Sequence, residues 1–502
     1  MTPGRTILEM VRDFFPEFCS PSWRAWRVFL AALFGLPMDA SDLEIYRSAT
    51  GRTSPPADPA REAWLVVGRR GGKSRIVALI VVYLALFRRY HLAPGERGVM
   101  MVLAATRSQA KVVFNFIVAF LRMVPMLQQE IVGEPLAERI ELSNGIDVEV
   151  HTAAFRSIRG RTVVAACGDE IAFWRTDDAA NPDTEILAAL RPAMATMANA
   201  LLLALSSPYA RRGELWTTYK KHFGQDDDPI LVWQADTPTM NPAIDAGVIA
   251  AALEADEARA RAEYFAEFRR DIESFLSAET LEAARGAAGV HEIGWLSSGV
   301  YVAFVDPSGG SRDSFTLAIA HAEPGGRMVV DAVREQRPPF SPETTVAGFV
   351  DLLRAYHISQ VTGDRYAGEW PREQFRKGGI GYVVSVPTKS ELYLELLPLM
   401  NSGRVELPEH PRLFAQLGAL ERRTIRGGRD TVDHPPAGHD DLANAVAGAV
   451  VLAARQGGAR LDLVRILETE EDKEVAERRN EIANGDHDLG DMPRRRDDVV
   501  MF

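Results

Sequence analysis

Apolar runs of strand length alternate with segments of helical periodicity along the first half of this chain. The runs that we predict as strands are Trp64–Val67, Val99–Ala104, Val163–Ala166 and Leu201–Leu205. Strands that alternate with helical patterns are typical of a parallel sheet covered by helices. The sequence therefore predicts an α/β domain over residues 61–225, preceded by a helical segment at residues 1–60. A hairpin is predicted to turn at Asn144 and Gly145.

A second alternating pattern begins near residue 294, after a breaker-rich stretch and a region rich in Ala, Glu and Arg. We predict a helical linker for residues 226–293 and a second α/β domain for residues 294–456. The predicted elements of that domain are strands Val300–Val305, Phe315–His321 and Met328–Val333, helix Thr344–Tyr356, strands Gln360–Thr362 and Tyr382–Val386, and helix Leu442–Ala454. Residues 457–502 form a charge-dense tail, which predicts one helix and a flexible end.

Length and composition indicate a globular protein with more than one domain. A chain of 502 residues exceeds the size of a single hydrophobic core. Its two cysteines exclude a disulfide scaffold and suit a reducing cytosol. No secretory signal pattern is present, and the apolar run Ile76–Phe87 is too short to span a bilayer. We therefore expect a soluble intracellular protein without a membrane partner.

The formal net charge of −12 weighs against nucleic-acid binding over the whole surface, because an acidic protein repels phosphate. A DNA path needs only a local basic patch. The candidate patches are Arg156, Arg159 and Arg161; Arg211, Arg212, Lys220 and Lys221; and Arg422, Arg423, Arg426 and Arg429. Each of them is more often a solvated face than a binding site.

A glycine-rich turn joins the first predicted strand to an apolar helical segment. It consists of Gly68, Arg69, Arg70, Gly71, Gly72, Lys73 and Ser74. In a phosphate-binding loop, backbone N–H groups at a helix N-terminus face the anion, the lysine reaches the outer phosphates and the hydroxyl holds Mg²⁺. The spacing is imperfect, because Val67 occupies the usual first glycine position. The alternative is a glycine-rich connecting turn.

Two acids follow the third predicted strand, and they supply what a nucleotide-hydrolysing site needs beside its loop. Asp169 is the candidate metal ligand, and Glu170 is the candidate that orients the attacking water. The alternative is an acidic pair that caps the next helix. Ser206, Ser207 and Pro208 follow the next strand, where a hydroxyl pair can sense the γ-phosphate.

Two arginines are rival candidates for stabilising the charge of the phosphoryl transition state. Arg69 lies inside the loop, and Arg159 lies ten residues before Asp169. Either is alternatively an ordinary surface arginine.

The second domain contains acids at the ends of predicted elements. Asp306 and Asp364 follow strands, and Asp440 and Asp441 precede the last apolar helix. A three-strand meander with an acid on its first strand, then a helix, an acid on a fourth strand and an acid on a last helix are typical of the ribonuclease H arrangement. Such a cluster binds two Mg²⁺ or Mn²⁺ ions and cleaves phosphodiesters. Taken singly, each acid is more often a turn or N-cap residue.

Together these motifs resemble the large subunit of the tailed-bacteriophage terminases, which are DNA-packaging motors. The resemblance extends from about Thr50 to Ala454. Its most specific parts are the loop Gly68–Ser74, the segment Gly168–Glu170, the segment Ser206–Pro208, Asp306 and the segment Asp433–Ala445. The implied fold is a P-loop NTPase domain with a parallel sheet, followed by a ribonuclease H-like α/β nuclease domain.

The resemblance implies that ATP hydrolysis drives double-stranded DNA through a portal protein into a procapsid, and that the nuclease cuts concatemeric DNA. A small terminase subunit would be a partner, and the working motor would be a homo-oligomeric ring, usually a pentamer. The location would be the bacterial host cytoplasm, with transient docking on the procapsid.

The resemblance also assigns roles to single residues. Lys73 and Ser74 match the Walker A lysine and hydroxyl, and Asp169 and Glu170 match Walker B and the catalytic glutamate. The segment Ser206–Pro208 resembles the motif that couples hydrolysis to movement. Asp306, Asp364 and Asp440 resemble the nuclease acids, with Asp441 as an extra ligand. Arg69 matches an arginine that acts within its own subunit, whereas Arg159 better suits one that acts on a neighbour.

One position departs from the family pattern. Arg27 follows Trp26, where the family often has an adenine-reading glutamine.

Two other functions fit parts of the same pattern. One is an ATP-dependent nuclease or helicase of DNA repair or defence that is not linked to a capsid. The other is a non-catalytic DNA-binding or assembly protein, against which the intact Lys73 and Glu170 argue.

Overall fold

The computed structural model describes residues 4–153, 158, 160–174, 182–297, 299–311, 313–364, 369–424, 430–436 and 438–457. It divides into two compact units. The first comprises Met1–Leu281 and His410–Asp440, and the second comprises Glu282–Glu409 and the chain from Asp441 onward. Arg159 and the predicted tail helix lie outside the described residues.

The α-helices, in chain order, are α1 (Ile7–Phe14), α2 (Arg24–Leu33), α3 (Ala40–Thr50), α4 (Lys73–Phe87), α5 (Arg107–Met123), α6 (Pro125–Gln128), α7 (Pro182–Met194), α8 (Gly213–His222), α9 (Thr237–Met240), α10 (Ala246–Ala255), α11 (Glu257–Phe265), α12 (Ala278–Ala283), α13 (Pro342–Ala355), α14 (Trp370–Lys377), α15 (Lys389–Asn401), α16 (Pro411–Ala419) and α17 (441–457). None of the helices in the described ranges is both long and apolar enough to cross a membrane.

The strands are β1 (Glu62–Val67), β2 (Gly98–Ala104), β3 (Arg139–Glu141), β4 (Ile146–Thr152), β5 (Thr162–Asp169), β6 (Leu201–Ser206), β7 (Ile230–Ala235), β8 (Ile272–Ser274), β9 (Tyr301–Asp306), β10 (Phe315–Ala322), β11 (Met328–Gln336), β12 (Gln360–Gly363), β13 (Gly381–Val384), β14 (Val405–Glu406), β15 (Glu421–Thr424) and β16 (Asp430–Asp433).

The first unit contains a seven-stranded sheet in the order β3-β4-β2-β5-β6-β1-β7. Every neighbouring pair is parallel except β3 and β4, which form the predicted hairpin. The inner strands β2 and β6 are buried along their whole length, as strands covered by helices on both faces are. The four strands predicted for this domain are β1, β2, β5 and β6. Strand β4 was predicted only as an arm of the hairpin. Strand β7 was not predicted; it lies in the stretch expected to be a helical linker and extends the sheet beyond residue 225.

The second unit contains a six-stranded mixed sheet in the order β13-β12-β9-β10-β11-β14. Strands β9, β10 and β11 form an antiparallel meander, and β12 pairs parallel with β9. This is the predicted order of a meander followed by a helix and a parallel strand. The predicted α/β fold class is confirmed, with a largely parallel sheet in the first unit and a mixed sheet in the second.

Residues 410–440 belong to the first unit, although the sequence predicted one continuous nuclease domain over residues 294–456. The physical reason is a buried carboxylate. Glu421, at the start of β15, has no exposed surface; it accepts hydrogen bonds from Tyr209 Oη at 2.8 Å and from the guanidinium of Arg212. Arg423 pairs with the same carboxylate at 2.9 Å. Strand β15 also pairs with β8, so this segment completes the first unit.

A second buried ion pair lies inside the sheet of the second unit. His321 Nδ1 on β10 lies 2.8 Å from the Oδ2 of Asp331 on β11, and Asp331 is fully buried. The hydrogen bond to Asp331 raises the pKa of His321, against the opposing effect of its burial. A histidine whose pKa is raised by folding contributes stability below its unfolded pKa, and that stability is lost as the pH rises through the folded pKa.

We therefore predict that this pair stabilises the protein at acidic pH, and that its contribution is lost as the pH rises from about 6, the usual range of histidine, through the raised folded pKa of His321. The double variant His321→Gln/Asp331→Asn removes both titrating groups and should show a smaller fall in melting temperature over that range. The measurement is a set of thermal unfolding curves of the full chain. Equal falls in the variant and the wild type would contradict the prediction.

Candidate functional site

The glycine-rich loop connects β1 to α4, and α4 begins at Lys73. Two loop residues adopt left-handed backbone conformations, Arg70 with φ 63° and Gly72 with φ 94°. The Lys73 ammonium is buried and donates to the carbonyl oxygens of Val67 at 3.0 Å and Gly68 at 3.2 Å. The loop therefore curls around its own lysine at the N-terminus of a helix, which is the geometry of an anion-binding site.

Glu170 connects this lysine to the end of the neighbouring strand β6. Its Oε1 lies 3.4 Å from Lys73 Nζ. Its Oε2 accepts hydrogen bonds from the Ser206 hydroxyl at 3.0 Å and from the Ser207 hydroxyl and backbone N–H, both at 3.2 Å. Glu170 itself has a left-handed backbone with φ 53°. Strand ends that are far apart in sequence thus bring Lys73, Glu170, Ser206 and Ser207 together.

Asp169 precedes Glu170 and is buried. Burial, followed by the neighbouring charge of Glu170, raises the pKa of Asp169 to about 7. Its Oδ1 has no hydrogen-bond partner within the described part of the chain. A buried carboxylate oxygen without a donor suits a cation ligand, because a dication takes the place of the missing donor.

A cavity of about 950 Å³ opens beside these groups in the first unit. Glu170, Ser207 and Pro208 contribute to its wall, together with Arg69 and Thr106. This volume is in the range of small-molecule sites and is sufficient for a nucleotide.

Arg69, one of the two candidate arginines, pairs with an acid in this structure. Its guanidinium lies 3.2 Å from Glu263 Oε1 on α11. Glu263 also pairs with Arg259 on the same helix at 2.9 Å. The rival candidate Arg159 lies outside the described residues, so its role stays a prediction.

Arg27, which stands where the terminases often have a glutamine, is used structurally. Its guanidinium donates to the carbonyl oxygens of Phe18 at 2.7 Å and Ser20 at 2.8 Å. Its neighbour Trp26 donates from Nε1 to the Gly71 carbonyl of the loop at 2.7 Å. The sequence did not identify Trp26 as a loop contact, because the two residues are far apart in the chain.

Four arginines of the basic patches pair with acids, whereas Arg156, Arg159, Arg426 and Arg429 lie outside the described residues. Arg161 pairs with Glu149, and Arg422 pairs with Asp430. Arg212 and Arg423 both pair with Glu421. For these four arginines the ion pairs favour a structural role over contact with DNA.

In the second unit, two of the predicted nuclease acids meet at one edge of the sheet. Asn444 Nδ2 on α17 lies 2.8 Å from Asp306 Oδ2 and 3.4 Å from Asp364 Oδ2. The Asp306 carboxylate ends β9, and Asp364 directly follows β12, the parallel neighbour of β9. Asn444 is a site residue that the sequence did not assign. Its position three residues after Asp441 on a helix was the available signal.

The other two predicted acids have different surroundings. Asp441 Oδ2 accepts from the Ser314 backbone N–H at 3.2 Å, and its carbonyl accepts from Thr316, the residue paired with Asp306. Asp440 belongs to the first unit and groups there with Asp433 and His434, all with ligand atoms within 4.8 Å of one another. Its convergence with Asp306 and Asp364 stays a prediction.

Tyr382 on β13 borders the paired acids. Its hydroxyl donates to the Asp364 carbonyl at 3.3 Å. Burial, followed by the charges of Asp364 and Asp306, raises the pKa of Tyr382, so that it remains a protonated donor.

Comparison with known proteins adds a resemblance in fold. No protein-family model and no curated protein sequence matches this chain. The large terminase of bacteriophage HK97 aligns over 86% of this chain and 100% of its own, at 18% identity and a TM-score of 0.38. This chain is similar to bacteriophage large terminases.

Two single-domain terminase structures each align with part of the chain. The large terminase ATPase domain of Thermus phage P74-26 covers 48% of this chain and 97% of its own, at 16% identity and a TM-score of 0.35. The magnesium-bound large terminase nuclease of thermophilic phage G20c covers 35% of this chain and 96% of its own, at 20% identity and a TM-score of 0.30.

The position of Asn444 depends on close packing of α17 against β9. A Cβ atom built at Gly448 would lie 2.2 Å from Cγ of Phe304, so only glycine allows the helix this approach. We predict that Gly448→Ala destabilises the protein by about 1–3 kcal/mol, the usual effect of overpacking a core. Thermal unfolding measures the change.

Gly348→Ala is the matched control, since Gly348 lies in α13 of the same unit and its Cβ would meet nothing within 4 Å. That variant should be neutral or slightly more stable, because alanine favours helix over glycine. Equal melting temperatures for the two variants would contradict the packing argument.

Proposed function

We propose that this protein is the large subunit of a viral DNA-packaging terminase, an ATPase and endonuclease in one chain. The observation that supports this most strongly is the arrangement around Glu170, which contacts the loop lysine and the two serines that follow β6. That arrangement joins a phosphate loop, a water-positioning acid and a hydroxyl pair in one site. A second unit with paired acids at a sheet edge provides the cutting activity.

In the ATPase site, Lys73 and the loop N–H groups bind the β- and γ-phosphates. Glu170 orients a water for attack on the γ-phosphorus, and the bond to the bridging oxygen breaks to release ADP and phosphate. Ser206 and Ser207 hold the Glu170 carboxylate through three hydrogen bonds, so a movement of Glu170 reaches the end of β6. This connection supports the coupling role that the resemblance assigns to Ser206, Ser207 and Pro208.

The side-chain oxygens of the ATPase site suit the ligation of a nucleotide-bound magnesium ion. Asp169 presents a buried oxygen without a donor, and Ser74 lies at the first turn of α4 beside Lys73. When bound, the ion would neutralise charge that develops on the phosphates. Asp169 and Ser74 are the residues proposed to hold it.

In the nuclease site, Asp306 and Asp364 are the proposed ligands of Mg²⁺ or Mn²⁺, with Asp440 and Asp441 as further ligands. Hard dications prefer carboxylate oxygens, and two carboxylates that share one amide donor are close enough for common ligation. Asn444 fixes both carboxylates by donating to each of them. The ion would activate the attacking water and stabilise the leaving oxygen.

The proposed partners are double-stranded DNA, a portal protein, a small terminase subunit and further copies of this chain in a pentameric ring. A packaging assay tests them together: procapsids that carry a portal should protect added DNA from nuclease only with ATP and this protein. ATP-dependent DNA cutting that is indifferent to procapsids would favour a repair or defence enzyme. Absence of both activities would favour a non-catalytic DNA-binding protein.

We predict that Lys73→Ala and Glu170→Gln each lower the ATPase rate constant by about 100-fold or more, since each removes a group that acts on the reacting phosphate. Both variants should retain metal-dependent plasmid nicking. Lys111→Ala is the control, because it replaces an exposed lysine of the same unit. Unchanged ATPase turnover in Lys73→Ala or Glu170→Gln would refute the ATPase assignment.

We predict the opposite pattern for Asp306→Ala and Asp364→Ala. Each should abolish plasmid nicking with Mn²⁺ and leave ATP hydrolysis near the wild-type rate, because the two sites lie in different units. Asp351→Ala, which replaces an exposed acid on α13, is the control. Persistent nicking by the site variants would show that the cutting activity lies elsewhere or belongs to a contaminant.

A further inference from the structure

The first glycine of the phosphate loop is Gly68, one position later than in the usual motif. This shift has a structural cause. A Cβ atom at Gly68 would lie 2.2 Å from Thr237 Oγ1 and 2.8 Å from the Tyr264 carbonyl oxygen. Gly68 therefore makes room for the side chain of Thr237, which has no exposed surface. The unusual spacing of the loop and the position of Thr237 are two parts of one feature.

Three side chains from outside the loop hold three successive loop carbonyls. Thr237 Oγ1 donates to the Arg69 carbonyl at 2.8 Å, and Asn241 Nδ2 donates to the Arg70 carbonyl at 2.9 Å. Trp26 Nε1 donates to the Gly71 carbonyl at 2.7 Å. We call Trp26, Thr237 and Asn241 the carbonyl clamp.

Fixing a carbonyl also fixes the next N–H group. In a trans peptide the C=O and the N–H point in opposite directions. The clamp therefore turns the N–H groups of residues 70, 71 and 72 away from the three donors. The Gly71 N–H donates to the Gly68 carbonyl at 3.3 Å within the loop, so the N–H groups of the left-handed residues Arg70 and Gly72 are the ones that suit a phosphate in this concave turn.

The hydrogen bonds from the clamp residues to the loop are not required to cap or stabilise the helices in or beside which these residues lie. The N-cap of α9 is Asp236, whose side chain accepts from the Thr239 N–H, so the Thr237 hydroxyl is not required as a cap. The Asn241 amide reaches the loop from just beyond the end of α9. Trp26 is buried in α2, yet it directs its single N–H to the loop.

We propose that Trp26, Thr237 and Asn241 are positioning residues that preset the phosphate loop for the polyphosphate of the nucleotide. This inference rests on the proposed ATPase function and extends it to residues outside the Walker motifs. A preset loop binds the phosphates equally well in the substrate and in the transition state. Loss of one clamp bond therefore raises KM and leaves kcat almost unchanged.

The test compares Thr237→Val, which keeps the shape and removes the donor, with Thr237→Ser, which keeps the donor. Thr237→Val should raise the KM for ATP and the Kd for ADP by about 2- to 10-fold, the value of one net hydrogen bond. Thr237→Ser should stay near the wild type. Thr239→Val is the matched control, since Thr239 is exposed on the same helix.

Asn241→Ala provides an independent test, because its side chain is partly exposed and its removal leaves no buried cavity. Asn241→Ala should raise the KM for ATP and the Kd for ADP, and the double variant Thr237→Val/Asn241→Ala should raise both further. If the variants fold and their KM for ATP equals that of Thr239→Val, the clamp proposal is overturned. The ATPase function still stands in that case, provided that the wild type hydrolyses ATP. A wild type that neither binds nor hydrolyses ATP would overturn the proposed function and the clamp together.

Discussion

The buried ammonium of Lys73 is the charge on which the nucleotide site depends. A buried charge is tolerated only when it is paired and hydrogen-bonded, and Lys73 obtains this from the Val67 and Gly68 carbonyls and from Glu170. Glu170 in turn takes its remaining hydrogen bonds from Ser206 and Ser207. One positive charge thus links the carboxyl ends of β1, β5 and β6, where ligands of open α/β sheets bind.

Local sequence patterns were sufficient to predict the strands that are buried along all or nearly all of their length. Strands β1, β2, β5 and β6 are apolar runs, and runs of this kind signal a covered parallel strand. Strand β4 was predicted only as an arm of the hairpin, because it alternates apolar residues with the acids Asp147 and Glu149 and so suggests one exposed face. Both acids are in fact buried, and their charges are matched by Arg139 on the adjacent strand β3 and by Arg97 and Arg161 outside the hairpin. No local pattern reveals such partners.

The same distinction applies to the sites. Lys73, Asp169 and Glu170 are recognisable because each follows a strand at a characteristic spacing. The carbonyl clamp is not recognisable in this way, since Trp26 and Asn241 reach the loop from 45 and 171 residues away. Asn444 was missed for a different reason: its spacing from Asp441 was the one available signal, and that spacing does not show that the side chain reaches Asp306 and Asp364.

The anchoring of Glu421 by Tyr209 and Arg212 has a consequence for biosynthesis. A ribosome releases residues 1–281 long before β15 exists, yet the first unit contains residues 410–440. In the completed unit, burial and the Glu421 charge raise the pKa of Tyr209 to about 12, so its phenol stays protonated and donates to Glu421, an acceptor that is translated late. The chain between the two parts is the second unit, which must be accommodated as an insertion. Domains of most proteins fold in the order of their synthesis; here the first domain is completed only after most of the second has emerged.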